Sequence, residues 1–246
     1  MSERFVLHYW PLPFRGHFPR FVLAHAGVGW DEPGVDRLTQ LRTAPVRGQP
    51  VPFMAPPLLE DRDAGVALAQ MPAIMAYLGS VFGLMPDNPA HMALTLKVLG
   101  DCTDVIEEIT CHCGAAMWTD AGWAGFAGAR LVRWLEIFED TGRRHGLRPE
   151  DGTLLGSDTY QIADLACAAL WHTMADKLPA LAPHIARHAP TVAALSARVA
   201  DTPAIAGFRR RWDAAHGAVY CGGEIEASLR EVLGRWPEAS PGTADA

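Results

Sequence analysis

The residues able to do chemistry fall into a few short stretches of this 246-residue chain. In YWPLPFRGHFPR, Tyr9 ends a short β-type run (residues 5–9) and Arg20 follows eleven positions later within an apolar helical pattern. A phenol hydroxyl both donates and accepts hydrogen bonds. Pro56-Pro57 precedes a second apolar run, where an X-Pro bond can be cis and fix a sharp entry. Gln70-Met71 stands where a helix begins, and free backbone N–H groups there attract carboxylates. Asp101 and Asp104 lie on a long helical stretch, where acidic residues usually face water. Cys111-His112-Cys113 places three potential metal ligands in a row. Adjacent helical residues point in different directions and no second ligand pair of zinc-site form occurs, so no metal is expected. Residues 9–16 contain no cysteine, which argues against a thiol reductant acting from the end of the first strand.

The elements that position these residues follow from pattern. Residues 5–9 read as a strand stopped by Pro11 and Pro13, and Phe18, Phe21, Val22, Leu23 and Ala26 fit one helical face closed by Gly27. Residues 28–31 suggest a second short strand, giving a parallel crossover unit. Residues 33–57 are rich in Pro, Arg and Gln and read mostly as loop, with a weak helical suggestion over 35–41. Leu58-Leu59 and Val66-Ala67-Leu68 flank a polar turn, the pattern of an antiparallel hairpin, and Pro72 opens a helix carrying Ala73, Ile74, Tyr77 and Leu78. The order is thioredoxin-like. Residues 79–89 form the best linker. Beyond it the pattern is helical throughout: about 90–113, 123–144, a most apolar buried helix over 161–175, then 190–199, 205–216 and 224–233.

Composition limits the function classes. Half the chain is hydrophobic and the net charge is −7, with Arg209-Arg210-Arg211 the longest basic run, which disfavours nucleic acid as a partner. No run reaches the length of a membrane span. Five scattered cysteines fit reduced thiols and a cytoplasmic setting better than a disulfide framework.

The stretches Pro56-Pro57-Leu58-Leu59-Glu60-Asp61 and Gln70-Met71-Pro72-Ala73-Ile74-Met75-Ala76-Tyr77-Leu78 resemble the cis-proline and helix-start motifs of the cytosolic glutathione S-transferases. The segment from Tyr9 resembles the Tyr-Trp/Phe-x-x-Arg-Gly segment of the tyrosine-type classes, and LLGSDTYQIADLACAALW resembles the family's capping box, with Asp164 matched and Gln161 in place of Ser or Thr. The resemblance covers roughly residues 4–215 and suggests a bacterial-like member with a variant glutathione site. It implies an α/β thioredoxin-like glutathione-binding domain at residues 1–84 and an all-α helical-bundle domain at 90–236; the small, polar residues 237–246 read as a disordered tail.

By the same resemblance Tyr9 is the catalytic residue. Its O–H would stabilise the thiolate of glutathione, a co-substrate whose free thiol, with a pKa of about 8.5, is only slightly ionised near neutrality. Arg15, Pro56, Pro57, Gln70, Met71 and Asp101 would contact glutathione, Asp101 by reaching across a dimer interface. The second substrate, an electrophilic and largely apolar small molecule, would meet Trp10, Leu12, Phe14, Cys113, Met117, Trp118 and Tyr220. A homodimer is implied, with no nucleic acid and no membrane as partners. Two positions in the expected glutathione site depart from the family pattern. Pro56 lacks the N–H that would pair with the ligand backbone, and Met71 stands where Ser or Thr would cap the helix and bond the γ-glutamyl carboxylate. They leave open a catalytically silent binding protein, or a glutathione-dependent peroxidase or isomerase.

Overall fold

The computed structural model describes residues 2–237. Its sheet has the order β2-β1-β3-β4 and is built from β1 (Phe5–His8), β2 (Trp30–Asp31), β3 (Leu58–Asp61) and β4 (Val66–Ala69). β1 pairs in parallel with β2 across the helix α1 (His17–His25), and antiparallel with β3, which returns as β4. All four residues of β1 are buried, as a central strand covered on both faces requires. Residues 33–57, expected mostly as loop, contain α2 (Val35–Thr43). Only Leu38 and Leu41 of that helix are buried, which is why its periodicity is faint in the sequence.

After the hairpin comes α3 (Met71–Val81), tied back to β3 by the Tyr77 hydroxyl, which donates to Asp61 Oδ2 at 2.8 Å. The segment expected as a linker is fastened at both ends. Leu84 and Met85 N–H groups bond the Gly79 carbonyl at 2.7 and 3.2 Å, and the Ile162 N–H reaches back to the Leu84 carbonyl at 3.1 Å. A methyl group on Gly79 would lie 2.7 Å from Met85 Cγ and closer still to Ile162, so glycine permits this contact.

Everything described beyond this point is helical or loop. α4 (Pro89–Ile109) opens on the Asn88 carboxamide oxygen, which accepts the Ala90 and His91 N–H groups. Expected to reach Cys113, it stops at Ile109 because the chain then turns left-handed, with φ of 45° at Cys111, 55° at His112, 58° at Cys113 and 84° at Gly114. Left-handed backbone costs L-residues about 1–2 kcal/mol each. Part of this cost is offset by the Thr110 hydroxyl oxygen and carbonyl, which accept the Cys113 and Gly114 N–H groups at 3.3 and 2.7 Å.

The next helical run begins at Asp120 and includes a π-helical stretch, Phe126–Leu131, before Val132–Arg144. The buried central run comprises Ile162–Cys167, a π-helical stretch at Ala168–His172 and Thr173–Lys177. Asp164 caps it, accepting the Gln161 N–H at 2.8 Å and the Leu154 N–H at 2.7 Å. Ala182–His188 is a helix the sequence pattern did not indicate, and Pro190–Ala200, Pro203–His216 and Gly223–Arg235 match expectation closely. Residues 238–246 of the expected tail lie outside the described residues. Among the described residues no helix is long and apolar enough to cross a membrane.

Candidate functional site

A cleft of about 530 Å³ opens between the sheet and the helices. One wall is the segment after β1, with Tyr9, Trp10, Leu12, Phe14 and Arg15. The floor is Pro56-Pro57 with Gln70-Met71, and the facing wall carries Thr103, Glu107, Thr110, Cys113, Cys221 and Ile225.

Tyr9 is 3% exposed, and its hydroxyl oxygen accepts the Arg15 N–H at 3.2 Å. The phenol proton is left to donate. Burial pushes the phenol pKa up, against the opposing charges of Arg15 and Arg20, so Tyr9 stays an O–H donor at neutral pH. Beneath it Arg20 is fully buried on α1. Its guanidinium pairs with both Glu32 oxygens at 2.9 and 2.7 Å and donates to the Leu12 and Trp10 carbonyls at 2.8 and 3.2 Å. It also stacks 4.1 Å from the Trp212 ring centre. In the sequence Arg20 was only a spacing marker; in the fold it clamps the loop that follows Tyr9. Gly16 allows that proximity, since a methyl there would meet Arg20 Nη1 at 2.6 Å and the Tyr9 ring closer still.

Arg15 spans the cleft. Nη2 lies 2.8 Å from Glu107 Oε2 on α4, and Nη1 lies 3.6 Å from Cys113 Sγ. The thiol in turn donates to Glu107 Oε2 at 3.3 Å. The left-handed turn after α4 therefore delivers Cys113 to the same ion pair that Arg15 joins.

The Pro56-Pro57 bond is cis, and both residues are buried. Pro56 has no N–H to give a ligand, so only its carbonyl is available for backbone pairing. Gln70 holds φ 73° and ψ 117°, a conformation few non-glycine residues adopt, and its side chain is exposed at the cleft rim. Met71 lines the cleft floor but is 1% exposed and packs in the core.

Asp101 is expected to serve the cleft of a partner chain, and Met117, Trp118 and Tyr220 lie outside this one. Asp101 pairs with Lys97 one turn away, and burial pushes its carboxyl pKa up. The face of α4 that meets the cleft is Thr103, Glu107 and Thr110, so Asp101 and Asp104 project from other faces. Trp118 donates its indole N–H to the Ile109 carbonyl at 2.9 Å and packs on Trp123 and Phe126. Met117 is exposed outside the cleft. Both are displaced because the left-handed turn redirects the chain past the end of α4. Tyr220 is buried edge-on behind Phe14, with ring centres 5.8 Å apart, and its neighbour Cys221 takes the lining position. That turn is held by Glu226, whose Oε2 accepts the Tyr220, Cys221 and Gly222 N–H groups at 3.0, 2.9 and 2.5 Å.

Thr103 and Glu107 could have been found from i, i+4 spacing on one helical face. Nothing local in the sequence marks Cys221 or Ile225. Among the described residues no group of three or more His, Cys, Asp or Glu is placed to hold a metal ion.

The family model described as glutathione S-transferase, C-terminal domain, matches residues 94–232. Comparison with curated proteins gives no match. Among solved structures, the chain is similar to the Pi-class glutathione S-transferase of Onchocerca volvulus, with a TM-score of 0.73 and 20% identity over 90% of this chain and 99% of that one. It is also similar to NaGST-2, with a TM-score of 0.65 and 24% identity over 84% of this chain and 96% of that one. At these identities the two structures establish the fold, a small mixed sheet followed by a helical bundle. The match of the family model over more than half the sequence goes further: the chain belongs to the glutathione S-transferase family.

Proposed function

We propose that this protein conjugates the thiolate of glutathione to electrophilic, largely apolar small molecules. The observation that carries the reading is the placement of the Tyr9 hydroxyl in a cleft that also contains the cis Pro56-Pro57 segment and the start of α3. The thiol of glutathione would lie near the Tyr9 O–H, whose hydrogen bond favours the ionised sulfur. The Arg15 N–H accepted by the phenol oxygen polarises that O–H further. Trp10, Leu12, Phe14 and Ile225 supply an apolar surface for the electrophile. Pro56 and Met71 support a second reading, a binding protein without transferase activity, because each removes a contact the family ordinarily makes to the peptide. We further infer the division at residues 1–84 and 90–236, a homodimer and a cytoplasmic setting, as the family resemblance implies.

The test is Tyr9→Phe. A hydrogen bond to a charged group is worth about 1.5–3 kcal/mol, so conjugation at neutral pH should fall about 10- to 100-fold while glutathione still binds. Binding without conjugation by the unaltered protein favours the second reading, and failure of both binding and conjugation refutes the first.

A further inference from the structure

The cleft holds a nucleophile of the protein's own. All five cysteines are free: Cys102 and Cys167 are buried, Cys111 and Cys221 are half-buried, and Cys113 is the exposed one. Cys113 and Cys221 both line the cleft, and Cys113 faces Tyr9 from the opposite wall. Its sulfur lies 3.3 Å from a carboxylate oxygen and 3.6 Å from a guanidinium nitrogen, so a cation is in contact with the sulfur that would attack. Three consecutive non-glycine residues held left-handed present it there.

We propose that Cys113 is a covalent modification site for small disulfides, which it takes up by thiol–disulfide exchange within the cleft. The thiol proton leaves to solvent, the thiolate beside the Arg15 guanidinium attacks one sulfur of the disulfide, and the Cys113–sulfur bond forms as the original S–S bond breaks. The departing thiolate takes up a proton. Cys113 is oxidised to a mixed disulfide while half of the reagent is reduced to thiol. Cys221 shares the cleft but does not resolve the adduct, because burial pushes its thiol up to about 12 and keeps it protonated. The adduct persists and fills the space the proposed substrates need. This inference uses the cleft of the proposed transferase and does not depend on Tyr9 acting in catalysis.

The full-length reduced protein is treated in parallel with glutathione disulfide and with an aromatic bis(nitrobenzoate) disulfide, followed by intact mass measurement and peptide mapping. One adduct per chain is expected, on Cys113, forming on the order of tenfold faster than at Cys111 or Cys221. Binding of an apolar fluorescent probe should fall in step with it. Cys113→Ser, whatever its own starting activity, should take up no adduct in that time, while Cys111→Ser and Cys221→Ser should behave as the parent. Modification by the aromatic disulfide alone supports the thiol site and counts against glutathione occupancy. First modification at another cysteine, or none in the folded protein, overturns the proposal. Loss of conjugation in Tyr9→Phe with Cys113 chemistry intact separates this idea from the transferase reading.

Discussion

Replacing Arg20 with Met should damage the site and the fold together, and the size of the effect follows from its contacts. The side chain is fully buried, makes a two-point pair with Glu32, and holds two carbonyls of the loop after Tyr9. Breaking a buried ion pair by removing one partner costs about 3–5 kcal/mol. The Glu32 side chain is 27% exposed and can recover some hydration, which places the expected loss near the lower end, about 3 kcal/mol. For a chain of this length that is a fall of roughly 6–12 °C in melting temperature. Arg20→Lys keeps the charge but loses the planar fork, so it should recover less than half of the stability. The assay is urea unfolding of the parent, Arg20→Met, Glu32→Gln and the double variant. The pair should show a coupling energy of at least about 1 kcal/mol. Under the proposed function, conjugation measured where Arg20→Lys remains folded should also decline, because the loop from Trp10 to Leu12 is no longer pinned. If Arg20→Met unfolds within about 1 kcal/mol of the parent, the clamp is not what holds this loop.

Three further outcomes are expected. Asp164→Ala strands the Leu154 and Gln161 N–H groups and should cost about 3 kcal/mol in urea unfolding, while Asp164→Asn, which keeps an acceptor, should lose less than half as much. Burial, aided by the charge of Arg209, lowers His172 from 6.5 to about 4. The folded ring therefore stays neutral where the unfolded ring takes a proton, so stability is full above pH 6.5 and declines as pH falls toward 4. Between pH 7.5 and 5 this contributes about 2 kcal/mol of loss, which His172→Gln should remove from the pH profile of the urea midpoint. Glu226→Gln weakens the grip on the Tyr220–Gly222 turn, and in a Cys113→Ser background alkylation of Cys221 should become several-fold faster.

The parts of the fold legible in the sequence are those whose pattern is local and repeated. β1, α1 and the hairpin of β3 and β4 show their period directly, and Pro72 marks a helix start through backbone chemistry that belongs to the residue itself, whereas the Asn88 cap lay within the expected linker. α2 was faint because two buried leucines are a weak signal among polar neighbours. The end of α4 falls four residues short of the expected one because three consecutive non-glycine residues turn left-handed, a conformation that no glycine or asparagine at positions 111–113 signals. That turn changes one wall of the cleft: Met117 and Trp118 were expected there from a longer helix, and Cys113 alone of that group lines it. Around Tyr220 the error was a single residue. A buried aromatic behind Phe14 and a cysteine in front of it cannot be told apart without the Glu226 contacts.

The clasp between Gly79, Leu84 and Ile162 bears on how the molecule moves and assembles. The first N–H of the most buried helix finds its acceptor in a segment almost eighty positions upstream, so neither half of the chain completes its own hydrogen bonding alone. Such reciprocity couples the halves into one cooperative unit. The cleft elements outside this clasp are its rim, where Met54 is 90% exposed and Gln70 is exposed, and the short turn bearing Cys113. In this molecule the chain that carries the cleft's facing helices is stitched to the chain that carries its floor before any ligand arrives.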